Sequence, residues 1–346
     1  MKNNKILITG SEGYIGSVLM PMLISNGYNV VGLDACYYSE GNLNDYVFPQ
    51  YNLINKDIRD IEKDDFRDKG YFAIIHLAAL SNDPLGMFDE KLTYDINHKS
   101  AVKIAELAKS SGVKRFIFAS SCSLYGQGGM NVLTEDSVTN PQTAYGKSKI
   151  YAEQDISELA DNNFSPVFMR NATAFGFSPR MRFDIVVNNL TGYAKVDNEI
   201  RILGDGKPWR PLVHVKDICR SIIAVLKINK EIIHNQAFNV GDNDENYQIR
   251  AIADKVKEYY SDCNVSIAKK DAGDTRDYNV SFNKLNTLLG FSTDWSLKDG
   301  IIELVEEYDK LNLDKQKFEN RLYTRLKQIK YLIKEEIIDT ALRRIK

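Results

Sequence analysis

The sequence predicts a doubly wound α/β fold, a parallel sheet with a smaller C-terminal substrate-binding lobe, and two observations carry that expectation. Short β-branched runs alternate with amphipathic stretches through the first half of the chain, the pattern of βαβ units whose sheet is covered on both faces. The first run, Ile6-Leu7-Ile8, opens directly into a glycine-rich turn, Thr9-Gly10-Ser11-Glu12-Gly13-Tyr14-Ile15-Gly16, ahead of a helical stretch.

Taken in order, strands are expected at Lys5 to Ile8, Asn29 to Gly32, Phe72 to Leu77, Phe116 to Ala119 and Val167 to Arg170, with helices between them. The clearest helical spacing runs from Asn97 to Ser110, with Ala101, Ile104, Ala105 and Ala108 on one stripe before Gly112 stops it. In the glycine turn, Gly10, Gly13 and Gly16 permit a tight bend, let backbone N–H groups approach a pyrophosphate and allow the helix to pack near the strand. The second strand leads to Asp34, where a carboxylate meets adenosine ribose hydroxyls and repels a 2′-phosphate, so the expected cofactor is NAD. Residues 1–170 therefore read as the dinucleotide-binding domain.

From about residue 171 to 310 the pattern loosens, with turn signals at Phe177-Ser178-Pro179 and Gly204-Asp205-Gly206-Lys207-Pro208. This region is expected to be mainly the substrate lobe, partly interleaved with the first domain. The tail, 311–346, places Phe318, Leu322, Leu326, Ile329, Ile333 and Ile337 at spacings of three and four, which predicts an amphipathic helix. Docking on its own domain or on a second subunit is the expected role, with a membrane surface or a partner helix as the alternative.

Among 346 residues, 45 Lys and Arg face 47 Asp and Glu, so no global field favours nucleic acid or an anionic membrane, and phosphate must be bound locally. No apolar stretch is long enough to insert in a membrane. Cys36, Cys122, Cys219 and Cys263 are widely spaced, which argues against a disulfide framework or a metal knuckle and for a reducing, cytoplasmic setting. No grouping of His, Cys and carboxylates has metal-site spacing.

The chemistry is concentrated in Tyr145-Gly146-Lys147-Ser148-Lys149, whose spacing puts phenol and ammonium on one helix face. A phenol titrating near 10 must be pulled down to act as a base, and a nearby cation does that. Upstream, Phe116-Ile117-Phe118-Ala119 ends in Ser120-Ser121, at the carboxyl end of a strand, where ligands gather in an open parallel sheet. A serine there can hydrogen-bond a reacting oxygen while the tyrosine moves its proton, although capping the next turn is the plainer role for either serine.

These segments, together with Asp57-Ile58-Arg59-Asp60, His76-Leu77-Ala78-Ala79 and Ser120-Ser121-Cys122-Ser123-Leu124-Tyr125-Gly126, resemble the extended short-chain dehydrogenase/reductase family. The resemblance is to its nucleotide-sugar epimerase and dehydratase branch, with a UDP-glucose 4-epimerase-like pattern and a Rossmann first domain. It implies that Gly10, Gly13, Tyr14, Ile15 and Gly16 hold the pyrophosphate, Asp34 the ribose, and Asp57 with Ile58 the adenine. Leu77, Ala78 and Ala79 would border the cofactor, and Asn97 would order the active-site helix. Ser121 would be the catalytic hydroxyl, Tyr145 the base and acid, and Lys149 the residue that lowers the tyrosine and binds the nicotinamide ribose.

In the second half, the resemblance points to Asn189, Arg210 and Arg276 as substrate contacts, with Arg210 the best diphosphate clamp because a guanidinium matches phosphate bidentately. The plainer role for either arginine is an ion pair with a nearby aspartate. His214, among Leu212, Val213 and Val215, is expected to be a packed core histidine. Two departures stand out. Arg170-Asn171-Ala172-Thr173 replaces the Arg-Tyr-Phe-Asn of many sugar epimerases, so Thr173 is the expected sugar contact there, and Ser81 stands where hexose 4-epimerases carry a lysine.

The implied reaction is epimerisation of a nucleotide-diphosphate sugar through a transient 4-keto sugar and enzyme-bound NADH. C4 dehydrogenation or ketosugar reduction is the alternative. A 4,6-dehydratase is disfavoured because Cys122-Ser123 replaces the Asp-Glu pair such enzymes use, and a non-catalytic NAD sensor or scaffold is disfavoured by the intact Ser121, Tyr145 and Lys149. A homodimer through the helices after Asn97 and Tyr145 is a further expectation from the resemblance.

Overall fold

The computed structural model describes residues 4–43, 46–268 and 276–345. Its strands in the first half are β1 (Lys5–Thr9), β2 (Asn29–Asp34), β3 (Asn52–Asn55), β4 (Ala73–His76), β5 (Arg115–Ser121), β6 (Gln127–Leu133) and β7 (Ser165–Asn171). In the second half come β8 (Thr173–Phe175), β9 (Glu199–Leu203), β10 (Trp209–His214), β11 (Gln236–Val240), β12 (Asn246–Gln248), β13 (Asn264–Ala268) and β14 (Asp277–Val280).

Seven of these form one parallel sheet in the order β11-β7-β5-β4-β1-β2-β3. The order reverses at β1, so the crevice beyond the carboxyl ends of β1 and β4 is a topological switch point, the place where such sheets bind ligands. Both faces are covered, as the near-continuous apolar strands require. Ile6, Ile8, Ile75 and Ile117 pack toward one apolar cluster, while Leu7, Val31, Ile74 and Phe118 pack toward another.

A third cluster belongs to the second half, where Phe175, Phe183, Val187, Ile202 and Leu304 are buried together. It is framed by the small sheet β12-β10-β8 and the pair β13-β9. Tyr14 ties this lobe to the glycine turn, since its phenol donates to the Gly176 carbonyl at 2.6 Å.

The stretch expected as a helix from Asn97 begins with a π-helical turn, Asp95–Lys99, followed by the α-helix Ser100–Ser110. The tail corrects its expectation more substantially. The apolar stripe from Phe318 to Ile337 is not one helix but a short helix Lys315–Phe318, a 3-10 turn Arg321–Tyr323 and the helix Arg325–Lys334. The break has a local cause, because the Asn320 side chain caps the 3-10 turn by accepting from Leu322 N and Thr324 is extended. It also has a tertiary one. Phe318 packs beside Phe183 and Tyr193 in the second lobe, whereas Ile329 and Leu332 pack in the cluster that holds Leu33 and Ile58. The tail thus docks on its own chain. Among the described residues no helix is long and apolar enough to cross a membrane.

Candidate active site

The glycine turn is shaped by close backbone approach. Gly10 has φ +77°, and a Cβ there would sit 2.7 Å from Ala78 N, so the turn rests directly on the strand exit Leu77-Ala78. At Gly16 a Cβ would fall 2.3 Å from the Gly10 carbonyl, which fixes how closely the following helix, Gly16–Ser25, approaches. Asp34, at the end of β2, is half-buried, and its carboxylate accepts from Glu12 N at 3.0 Å and Cys36 N at 2.8 Å. Burial raises its pKa. This cradle, with a carboxylate at its far end, fits a dinucleotide with free ribose hydroxyls.

Asp57 caps the turn Ile58–Asp60 and is gripped by Arg59, with Nε at 3.0 and 3.1 Å from its two oxygens. Ile58 is buried beside it. Leu77, Ala78 and Ala79 are half-exposed along the crevice. Asn97 sits in the π turn, where its side chain bonds both backbone groups of Leu80, at 2.7 and 3.1 Å, and reaches Ser148 Oγ at 3.3 Å. It therefore links the exit of β4 to the helix Ala144–Glu158.

That helix carries the catalytic candidates. Thr143 caps it, accepting from Gly146 N at 3.1 Å, and Tyr145 stands in its first turn. Burial, and after it the Asp83 carboxylate, push the Tyr145 phenol up to about 12 against the downward pull of a hydrogen bond with Ser121 and of the Arg182 charge. Ser121 ends β5, and its hydroxyl also accepts from Ser123 N at 3.2 Å. Lys149 lies one turn after Tyr145, with Nζ 5.8 Å from the phenol ring centre and donating to the Ala119 carbonyl at 2.7 Å. Burial lowers Lys149 to about 8. The structure thus brings Ser121, Tyr145 and Lys149 together, and the charge of Arg182 adds a further pull on Tyr145.

The substrate candidates are more dispersed. Arg276 pairs with Asp83 at 2.5 Å, the carboxylate that also acts on Tyr145; the Gly273–Thr275 stretch before it lies outside the described residues. Arg210 Nη1 donates to the carbonyls of Trp209 and Arg276, both at 2.7 Å, and the guanidinium lies over Tyr278. Arg276 thus makes the ion pair with an aspartate that is its plainer role, whereas Arg210 meets backbone carbonyls and an aromatic ring beside it. The Asn189 amide donates to the Phe183 carbonyl at 2.8 Å, a turn-stabilising role, and Thr173 is a half-exposed residue of β8. His214 is fully buried, stacked on Trp295 at 4.3 Å and bonded to Glu303 at 2.8 Å, as a core histidine.

Arg170, which this chain shares with the Arg-Tyr-Phe-Asn pattern, is committed to Glu153 through Nε at 3.1 Å and Nη2 at 2.7 Å, so it works inside the fold and the departure begins at Asn171. Ser81 is reached by Arg182 Nη1 at 3.3 Å, and Arg182 is held by Asp184 at 2.8 Å. An arginine from the second lobe thus reaches the wall where a lysine was noted as missing. Cys122 and Ser123 are buried, and burial drives the Cys122 thiol strongly upward, away from any role as a base.

Asp83, Arg182 and Asp184 escaped the sequence reading. A signal existed for the first, since Asn82-Asp83-Pro84 is a helix start placed just past a sheet strand. For the others it was Arg180-Met181-Arg182-Phe183-Asp184, a dense run of charge in an otherwise apolar stretch. Among the described residues no cluster of His, Cys and carboxylates could hold a metal.

Comparison with known proteins bears on this geometry. The UDP-glucose 4-epimerase of Corynebacterium glutamicum is 25% identical over 86% of this chain and 94% of its own length. That of Bacillus subtilis is 28% identical over 68% of this chain and 76% of its own. Among solved structures, the UDP-glucose 4-epimerase of Thermotoga maritima with UDP-glucose superposes with a TM-score of 0.80 at 24% identity, covering 89% of this chain and all of that one. The dTDP-glucose 4,6-dehydratase of Streptomyces venezuelae with NAD gives 0.79 at 21% identity, covering 92% and 99%; at these identities both show a shared fold. The model of the NAD dependent epimerase/dehydratase family matches residues 6–241. With its glycine cradle, carboxylate and Ser-Tyr-Lys set inside that span, this chain is an NAD-dependent enzyme that belongs to the NAD dependent epimerase/dehydratase family.

Proposed function

We propose that the protein is a nucleotide-sugar epimerase working through a transient 4-keto sugar. The observation that carries the reading is the Tyr145 phenol, hydrogen-bonded to Ser121 and set beside the Lys149 ammonium. NAD, when bound, supplies the acceptor that takes a hydride from the sugar and gives it back. The chain's own groups do the rest. Gly10, Gly13, Tyr14, Ile15 and Gly16 offer backbone to the pyrophosphate, Asp34 takes the ribose, Asp57 and Ile58 border the adenine, and Leu77 to Ala79 line the wall. Tyr145 holds the proton removed from the C4 hydroxyl and returns it, while Ser121 steadies the reacting oxygen. Lys149 keeps a positive charge beside both.

Arg276 and Arg210, at the rim, would take the substrate diphosphate, with Thr173 and Asn189 on the sugar side. Dehydration needs a further acid and base after the catalytic hydroxyl, and buried Cys122 and Ser123 supply neither. C4 dehydrogenation or ketosugar reduction is the second reading, because Ser81, which Arg182 reaches, stands where hexose 4-epimerases carry a lysine. We also infer a homodimer: Tyr151, on the helix Ala144–Glu158 that is expected to pair, is a large apolar ring left 42% exposed. The four cysteines, all free, accord with a reducing cytoplasm.

The test is incubation with UDP-, GDP-, dTDP- and CDP-sugars, following NADH absorbance and product mass together. A new isomer of unchanged mass without net NADH supports epimerisation. Stoichiometric NADH with loss of two hydrogens replaces it with dehydrogenation, and loss of water overturns the argument from Cys122 and Ser123.

A further inference from the structure

The tail after Lys310 returns to the adenosine end of the cofactor crevice. Leu342 is wholly buried and Ile338 is 1% exposed, in the same cluster as Leu33 and Ile58. Around this apolar anchor, polar contacts reach the two segments that edge the adenosine site. In the segment following Asp34, Ala35 O accepts from Arg344 Nη2 at 3.0 Å, Tyr37 O accepts from Gln328 Nε2 at 3.0 Å, and the Tyr37 phenol donates to Leu342 O at 2.5 Å. In the segment holding Asp57, Arg343 Nη1 lies 2.7 Å from Asp60 and 3.3 Å from Asp57, while Arg59 donates to Ala341 O at 2.7 Å and Leu342 O at 3.0 Å. The Thermotoga maritima structure is matched along its whole length by 89% of this chain, so part of this chain has no counterpart in it.

We propose that the tail is a clasp on the adenosine end of the NAD site, fixing the segments 35–38 and 57–60 and thereby setting the rate at which the cofactor leaves. Walls held in place before binding spare the cost of ordering them, and such preorganisation shows mainly in dissociation. Arg59 couples the two halves of the clasp, because the guanidinium that grips Asp57 also holds the tail's carbonyls. The clasp rests on NAD binding and not on which sugar is turned over, so it stands or falls apart from the epimerase reading.

The experiment uses the full chain loaded with labelled NAD and chased with unlabelled NAD. Replacing Arg343→Ala and Arg344→Ala together is expected to speed release about tenfold, which corresponds to about 1.4 kcal/mol, while the unfolding temperature of the cofactor-stripped protein stays near that of the parent. Arg343→Lys, which keeps a cation facing Asp57 and Asp60, should release NAD slowly, as the parent does. Should the double variant fail to fold, Asp60→Asn cuts the same contact from the opposite, exposed side and is expected to speed release in the same direction. Release at the parent rate in a folded double variant, or in Asp60→Asn, overturns the clasp.

Discussion

At the catalytic end of the cleft, Lys149 is buried with its ammonium on the Ala119 carbonyl, and Glu153, one turn further along the same helix, is committed to Arg170 and Ser120. At the adenosine end, Asp57 has two arginines, one of them from the tail, and Tyr37 is bonded to the tail's backbone. Among the described residues Lys149 meets a carbonyl and not a carboxylate, whereas Asp57 is paired with arginines of its own chain. The difference fits a division of labour. A buried ammonium and phenol kept for bond making cost stability, while a paired network serves holding.

The largest effect expected from this contrast is at Tyr145. Tyr145→Phe removes the proton carrier without touching the adenosine end, so turnover should fall by roughly a thousandfold or more while NAD stays bound. Turnover and cofactor content measured on one preparation check this, and a parallel loss of both would break the separation between the two ends. Next comes Arg276→Ala. If Arg276 takes the diphosphate, KM should rise by about 10- to 100-fold with a small change in kcat, the scale of a charge-assisted hydrogen bond. A fall in kcat with KM unchanged would instead mark its pair with Asp83 as the part that matters.

Lys149 gives the contrast a sign in pH. Its folded pKa, about 8, lies below its ordinary value of 10.5, so the folded state binds fewer protons than the unfolded one between those values and stability rises with pH across that window. Lys149→Met should therefore stabilise the cofactor-stripped protein at pH 7, by on the order of 2 kcal/mol, with the gain fading above about pH 10. Urea unfolding at pH 7 and pH 10 measures it, and a destabilised variant at pH 7 would show that the Ala119 hydrogen bond outweighs the buried charge. The smallest effect is expected at Cys122. Cys122→Ala should leave turnover within about twofold and product mass unchanged, because the thiol is buried and held protonated.

The sheet strands and the glycine turn were legible because they are local: a period of two, a β-branched run and a fixed glycine spacing are read along the chain. Ser121, Tyr145 and Lys149 were legible for the same reason, each being named by its place at a strand exit or on one helix face. The Arg182 charge on Tyr145 and the Asp83 pair with Arg276 were not, because each joins segments far apart in the chain. The tail shows the limit of periodicity most clearly. Phe318 and Ile329 share a stripe by spacing, yet they enter different cores, and nothing in a one-dimensional pattern distinguishes two half-stripes from one.

The central claim is that one cofactor, held through the cycle, returns the hydride it took. A substrate carrying deuterium at the reacting carbon, turned over in excess unlabelled NADH, tests that directly. Epimerised product that keeps its deuterium is the predicted result. Product that has exchanged the label would contradict the account, since the hydride would then have come from a cofactor that entered after the first step.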